Sequence, residues 1–160
     1  MILLSVEDLK PDFLFNRAAE TDIHEVRSWT SELTVLVVED DEILQESFQQ
    51  MLGYLFAEVE AAVDGQDVLD QWVKKPYDIV FTDLNMPRMS GFRLIQKIRQ
   101  QSPQQVTIVI GAYEDEIFQQ VLAVQEVKYL IKPVGFEGLL NVLISVLSKS
   151  SFRASRLLRQ

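Results

Sequence analysis

The chain has no cysteine, which excludes disulfides and thiolate metal sites. It has a single histidine, so this chain alone cannot build a histidine-based metal cluster or triad. Basic residues are outnumbered: 15 Lys and Arg stand against 24 Asp and Glu, a net charge of -9. Phosphate backbones need a basic surface, so nucleic acid is not expected as a partner of the whole chain. No apolar run approaches a membrane span. "MILLSV" is too short for a signal-peptide core and runs straight into Glu7 and Asp8. A cytoplasmic protein without a membrane partner is the expectation. What the chain does have is 48% hydrophobic residues, enough for a packed core. Its 160 residues suit one domain with some excess.

No internal repeat or low-complexity tract interrupts it. From Thr34 onward two kinds of segment alternate. Short apolar runs rich in β-branched residues read as strands: "TVLVV", "AEVEA", "DIVF", "VTIVI" and "VKYLI". Between and after them lie stretches with helical spacing: Ile43 to Phe56, Gln66 to Lys74, Gly91 to Gln101, Glu114 to Val124 and Phe136 to Ser148. The strands are too continuously apolar for a sheet with one wet face. The pattern predicts a doubly wound α/β domain, its parallel strands covered by helices on both faces. Right-handed crossovers then place every strand's C-terminal end on one rim. Residues 1–32 fall outside the pattern and read as an N-terminal arm that packs on the domain. In it, Asn16 is positioned to cap a helix through "RAAETDIHEVRSW", with Ile23, Val26 and Trp29 on one side.

Charged residues collect on the predicted rim. The first strand runs into Glu39, Asp40 and Asp41, the third into Asp83, and the fifth into Lys132 before Pro133. Charges mark strand ends in any protein, but Glu39, Asp40, Asp83 and Lys132 on one rim from three strands are a stronger coincidence. Carboxylates about 5 Å apart repel by roughly 3 kcal/mol at an effective dielectric near 20. Either a proton is shared or a cation sits among them. An all-oxygen site without His or Cys calls for a hard cation, most plausibly Mg²⁺ (Mn²⁺ as the substitute). A lysine opposite completes a pocket for an incoming phosphoryl group. Attack of an aspartate carboxylate on phosphorus uses these parts.

The motifs "LVVEDD", "DIVFTDLNMPRMSG" and "YLIKP" resemble, in order, those of a response-regulator receiver domain of bacterial two-component signalling, the CheY-like family. The resemblance covers roughly Leu33 to Ser148. It implies a flavodoxin-like strand order 2-1-3-4-5, a receiver domain over residues 33–148, and a C-terminal helical extension over 149–160. It implies Asp83 as phosphoacceptor and Lys132 as phosphate partner. It implies Mg²⁺ held by Asp40 directly, by Glu39 mainly through water, by Asp83, and by the backbone carbonyl of Asn85. The bond before Pro133 is cis in the family, and Tyr129 matches its switching aromatic. Asp41 reads as the start of the next helix, suited to its positive end. Met86, Pro87 and Gly91 read as residues that shape the loop after Asp83. The implied partner is a histidine kinase or phosphotransfer protein. No enzyme is implied, since Asp83 takes phosphate onto itself and no separate substrate is turned over.

One position departs from the pattern. Receivers carry Ser or Thr at the end of the fourth strand, just before an alanine. Here the stretch is "VTIVIGAYED", with Gly111 in that place and Ala112 after it. Thr107 lies too far back to substitute. Glycine supplies no hydroxyl, so the coupling from phosphate to the surface around Tyr129 is put in question. A constitutive interaction or dimerisation module is the alternative this raises. An Asp-nucleophile phosphatase is set aside, because it needs a second Asp where Asn85 stands. "HEVRSW", from His24, faintly resembles a kinase phosphoacceptor box, but Trp29 stands where its proline belongs, and the chain has no room for the rest of a kinase. Along the last predicted helix, Phe136, Leu140, Leu143, Leu147, Ser150, Ala154 and Leu157 alternate in steps of four and three. That seam suggests a coiled coil joining two copies or leading to an output domain beyond these residues. Lys149, Arg153, Arg156 and Arg159 follow at helical spacing, where their cations suit a helix end.

Overall fold

The computed structural model describes residues 17–112, 116 and 127–148, with side chains from Ile23 onward. Five strands form one sheet: β1 (Thr34–Val38), β2 (Glu58–Ala62), β3 (Ile79–Asp83), β4 (Val106–Gly111) and β5 (Lys128–Ile131). All pairs are parallel and the order is β2-β1-β3-β4-β5. Five helices with described bounds accompany them among the described residues: α1 (Arg17–Thr30), α2 (Glu42–Leu55), α3 (Gly65–Trp72), α4 (Gly91–Gln101) and α5 (Phe136–Leu147). The expected helix over Glu114 to Val124 lies outside the described residues except for Glu116, which is helical. The expected extension over 149–160 lies outside them entirely.

Alternation along the strands divides the core. Val35, Val37, Ile79, Phe81, Ile108 and Ile110 point to one face and pack against α1, α2 and α5. Leu36, Val38, Val80 and Val109 point to the other, toward α3 and α4. The helices begin where short polar side chains satisfy their free amides. Asp41 caps α2 by accepting from Leu44 N, Asp64 caps α3 by accepting from Asp67 N, and Ser90 caps α4 by accepting from Arg93 N.

Continuous burial holds for the central strands but not for the edges. All of β3 is buried, whereas Glu58 of β2 and Tyr129 and Ile131 of β5 are exposed. An edge strand has one neighbour and needs protection from foreign strands. On β2 that protection is charge: Lys75 Nζ lies 2.7 Å from Glu58 and 2.6 Å from Glu60.

Of the N-terminal arm, α1 lies among the described residues and docks on the domain. Val26 is fully buried, Ile23 and Trp29 pack against the same core, and α1 lies against α5 and α2. Thr30 locks the corner by donating its hydroxyl to the carbonyls of Val26 and Leu55. The seam read on α5 has another use. Leu140, Leu143 and Leu147 are buried in this chain's own core. Over three turns a period of 3.5 cannot be told from 3.6, so a core-facing stripe looks like a coiled-coil seam. That stripe is therefore not open to a second copy through Leu147; Ser150, Ala154 and Leu157 lie outside the described residues.

Candidate functional site

Register brings the sequence-predicted residues together. Val38 pairs with Thr82, Asp83 with Ile110, and Gly111 with Ile131. Glu39, Asp83 and Lys132 therefore emerge at one level of the C-terminal rim, where open α/β sheets carry their ligands. β3 runs through Asp83 itself, the expected end of the third strand and two residues past the apolar run, and Leu84 N donates to Ile110 O at 3.2 Å just beyond it.

Oxygens of Glu39, Asp40 and Asp83 lie within 4.8 Å of one another, with Glu39 and Asp83 buried and Asp40 exposed. Lys132 reaches into them. Its ammonium lies 2.8 Å from Asp83 Oδ2 and 3.1 Å from Glu39 Oε2. The lysine is aimed by its backbone, since Lys132 N donates to Gly111 O at 2.9 Å. The Lys132–Pro133 bond is cis. Asn85 turns back on the site, its amide donating to Asp83 Oδ1 at 3.1 Å. Gln45 braces the acidic strand end by donating to the carbonyls of Glu39 and Ala62. Asp41 faces away and caps α2, as its position in the sequence implies.

The electrostatics are those of crowded carboxylates. Burial, then the charge of Asp83, pushes the Glu39 carboxyl up to about 7. Burial opposes the Lys132 charge, but the hydrogen bond and charge of Asp83, with those of Glu39, outweigh it and push its pKa up. One ammonium thus faces two buried carboxylates and a third nearby. The donor set is all oxygen, crowded and short of positive charge, which fits a hard divalent cation.

Gly111 is buried at the end of β4 and Ala112 follows it half-buried. Thr107 lies back in β4 opposite Val80, away from the rim. Tyr129 is 44% exposed on the edge strand. His24 is exposed on α1. Sequence reasoning missed Asp64 and Arg88, which pair beside this site. Asp64 had a signal, the Asp-x-x-Asp spacing to Asp67 that marks a helix start. Arg88 had none, because its partner lies on another loop.

A doubly wound sheet in this order, with an acidic pocket and a lysine at its rim, defines a receiver-type domain. The response regulator receiver domain family matches residues 35–144. A cyclic di-GMP phosphodiesterase of Thermotoga maritima is 32% identical over 106 residues, covering 66% of this chain and 28% of that protein. The response regulator ArlR of Staphylococcus aureus is 30% identical over 117 residues, covering 72% of this chain and 52% of that protein. The chain therefore spans about half or less of the length of these relatives. Among solved structures, the chemotaxis protein CheY4 of Vibrio cholerae aligns with a TM-score of 0.66 at 30% identity, over 73% of this chain and all of that one. The chain belongs to the response regulator receiver domain family of two-component signalling. No helix among the described residues is long and apolar enough to cross a membrane.

Proposed function

We propose that residues 33–148 act as a phosphoryl-accepting switch, taking phosphate onto Asp83 from the phosphohistidine of a kinase or phosphotransfer protein. The observation that carries this reading is Lys132, whose ammonium bridges Asp83 and Glu39 beside a third carboxylate. Asp40, Asp83 and the backbone carbonyl of Asn85 would hold Mg²⁺ or Mn²⁺, with Glu39 assisting through water. A divalent cation bound there would supply positive charge against the phosphoryl oxygens. A carboxylate oxygen of Asp83 forms the new O–P bond as the donor's N–P bond breaks, and the electron pair leaves with the imidazole nitrogen. Lys132 then pairs with the phosphoryl group instead of the free carboxylate. Nothing else is turned over, so the outcome is a changed surface. The reader of that surface is a partner protein or an output domain outside these residues.

Incubation with acetyl phosphate and Mg²⁺ should add one acid-stable, base-labile phosphoryl group to Asp83, and Asp83→Asn should abolish it. Phosphate found on His24 instead would overturn the mechanism. Lys132→Ala should keep the carboxylate but lose phosphate-dependent changes, because the cation that reads the phosphoryl group is gone.

The metal ligands are separable. A direct carboxylate ligand is worth more than a water-mediated one, so Asp40→Asn should weaken Mg²⁺ binding by about tenfold or more, roughly 1.4 kcal/mol, and Glu39→Gln by less. Equal affinity in wild type and Asp40→Asn, measured by calorimetric titration, would remove Asp40 from the ligand set.

A further inference from the structure

We propose that Arg88 is a positioning residue for the metal-binding loop, acting through its ion pair with the buried Asp64. The proposal rests on the functional reading above. The loop leaves β3 at Asp83 and enters α4 at Gly91. Both ends are tied, by Asn85 N to Asp83 Oδ1 at 3.1 Å and by Gly91 N to Leu84 O at 3.0 Å. In its middle, Met89 N donates to Pro87 O at 2.8 Å across Arg88, whose φ is 67°. A two-residue closure around a positive φ is a rare, strained turn, and Arg88 is the non-glycine residue with positive φ among those described. Such a conformation persists only where its surroundings hold it.

Two contacts hold it here. Met89 is buried and seats on Gly65, where an added Cβ would meet Met89 Cβ at 3.0 Å. Arg88 Nη2 pairs with Asp64 Oδ2. The other oxygen of Asp64 accepts from Asp67 N at 2.9 Å, which fixes the carboxylate at the start of α3. The Asp64 side chain is 3% exposed and that of Arg88 is 72% exposed. An open pair of this kind adds little by itself. Removing the cation is different, because it leaves a buried carboxylate uncompensated. The pair thus bolts the loop to the β2–α3 corner, independently of the loop's own ends. The carbonyl of Asn85 belongs to that loop. A ligand supplied by loop backbone is only as well placed as the loop, and partners outside the metal's own ligands commonly tune affinity ten- to a hundredfold.

The test is Mn²⁺ affinity by calorimetry, alongside thermal melting, for wild type, Arg88→Gly, Asp64→Asn and the double variant. Glycine accepts positive φ without strain, and asparagine keeps the cap on α3. The double variant therefore removes the pair while relieving both the strained turn and the buried charge. The expected result is a loss of about tenfold in Mn²⁺ affinity in each single variant and no further loss in the double, which melts at or above wild type. A loss that survives in a protein of undiminished stability is positioning, not damage to the fold. A wild type that binds Mn²⁺ beside a double variant of equal affinity overturns this proposal alone. A wild type that binds no Mn²⁺ overturns the functional reading and this proposal with it.

Discussion

Replacing Gly91 by alanine is expected to cost about 2–4 kcal/mol of stability, several times the effect of an ordinary surface change. The reason is space. A Cβ on Gly91 would sit 2.2 Å from the backbone oxygen of Asp83 and 3.0 Å from Asp83 C and Leu84 Cα. All three are backbone atoms, which cannot swing aside as a flexible side chain would. No described glycine has positive φ, so conformational freedom is not what the position demands. To admit a methyl group, the start of α4 must retreat, and the Gly91 N to Leu84 O bond stretches with it. The alternative is displacement of the Asp83 carbonyl, which accepts the Thr82 hydroxyl at 2.9 Å. Either way the residue proposed to accept phosphate moves. Thermal melting should fall by roughly 5–15 °C, and phosphoryl incorporation should drop with it. Gly53 is the control. It lies exposed inside α2, where an added Cβ would meet nothing within 4 Å beyond its own helix backbone and chain neighbours. Gly53→Ala should raise stability by up to about 1 kcal/mol, because alanine is the better helix former. If the Gly91 variant melts with wild type, the close approach at Asp83 O does not exist in solution.

The same glycine shows what a sequence can and cannot disclose. "NMPRMSG" marks a loop and a helix start through local chemistry, and Ser90 caps α4 accordingly. The backbone that Gly91 must avoid belongs to the end of β3, and its approach is set by how α4 packs on the sheet. The rim residues were legible because each ends its own strand, and a parallel sheet turns strand ends into neighbours. Glu39, Asp83 and Lys132 needed only that one inference to be placed together. Asp64 and Arg88 needed two loops to meet, for which periodicity carries no signal. The edge character of β2 and β5 was likewise unreadable in local pattern alone, since it depends on strand order. The stripe on α5 misled for the opposite reason. Its local period was real, but α1, α2 and the sheet had already used that face.

Gly111→Thr is expected to enlarge the response to phosphorylation by roughly ten- to a hundredfold in the ratio of active to inactive states. A hydroxyl at the end of β4 can donate one charge-assisted hydrogen bond to a phosphoryl oxygen on Asp83, worth about 1.5–3 kcal/mol. A two-state switch responds only to contacts that differ between its states, so a missing contact of that size is missing leverage. The position suits the role. Gly111 follows Ile110, the strand partner of Asp83, and its carbonyl anchors Lys132 N. It is buried beside the site, and its φ is not in the positive range, so its backbone angle is one that threonine adopts. In the wild type, phosphorylation should therefore move Gly111, Ala112 and Tyr129 less than in the threonine variant. The measurement is the amide chemical-shift change on adding beryllofluoride and Mg²⁺ to each protein. A large, saturating change already present in wild type, with nothing added by threonine, would make the glycine neutral and send the switch through other contacts. No change in wild type, restored by threonine, would mark a receiver that accepts phosphate without passing it on. That is the behaviour of a constitutive interaction module, held in one state by the loss of a single hydroxyl.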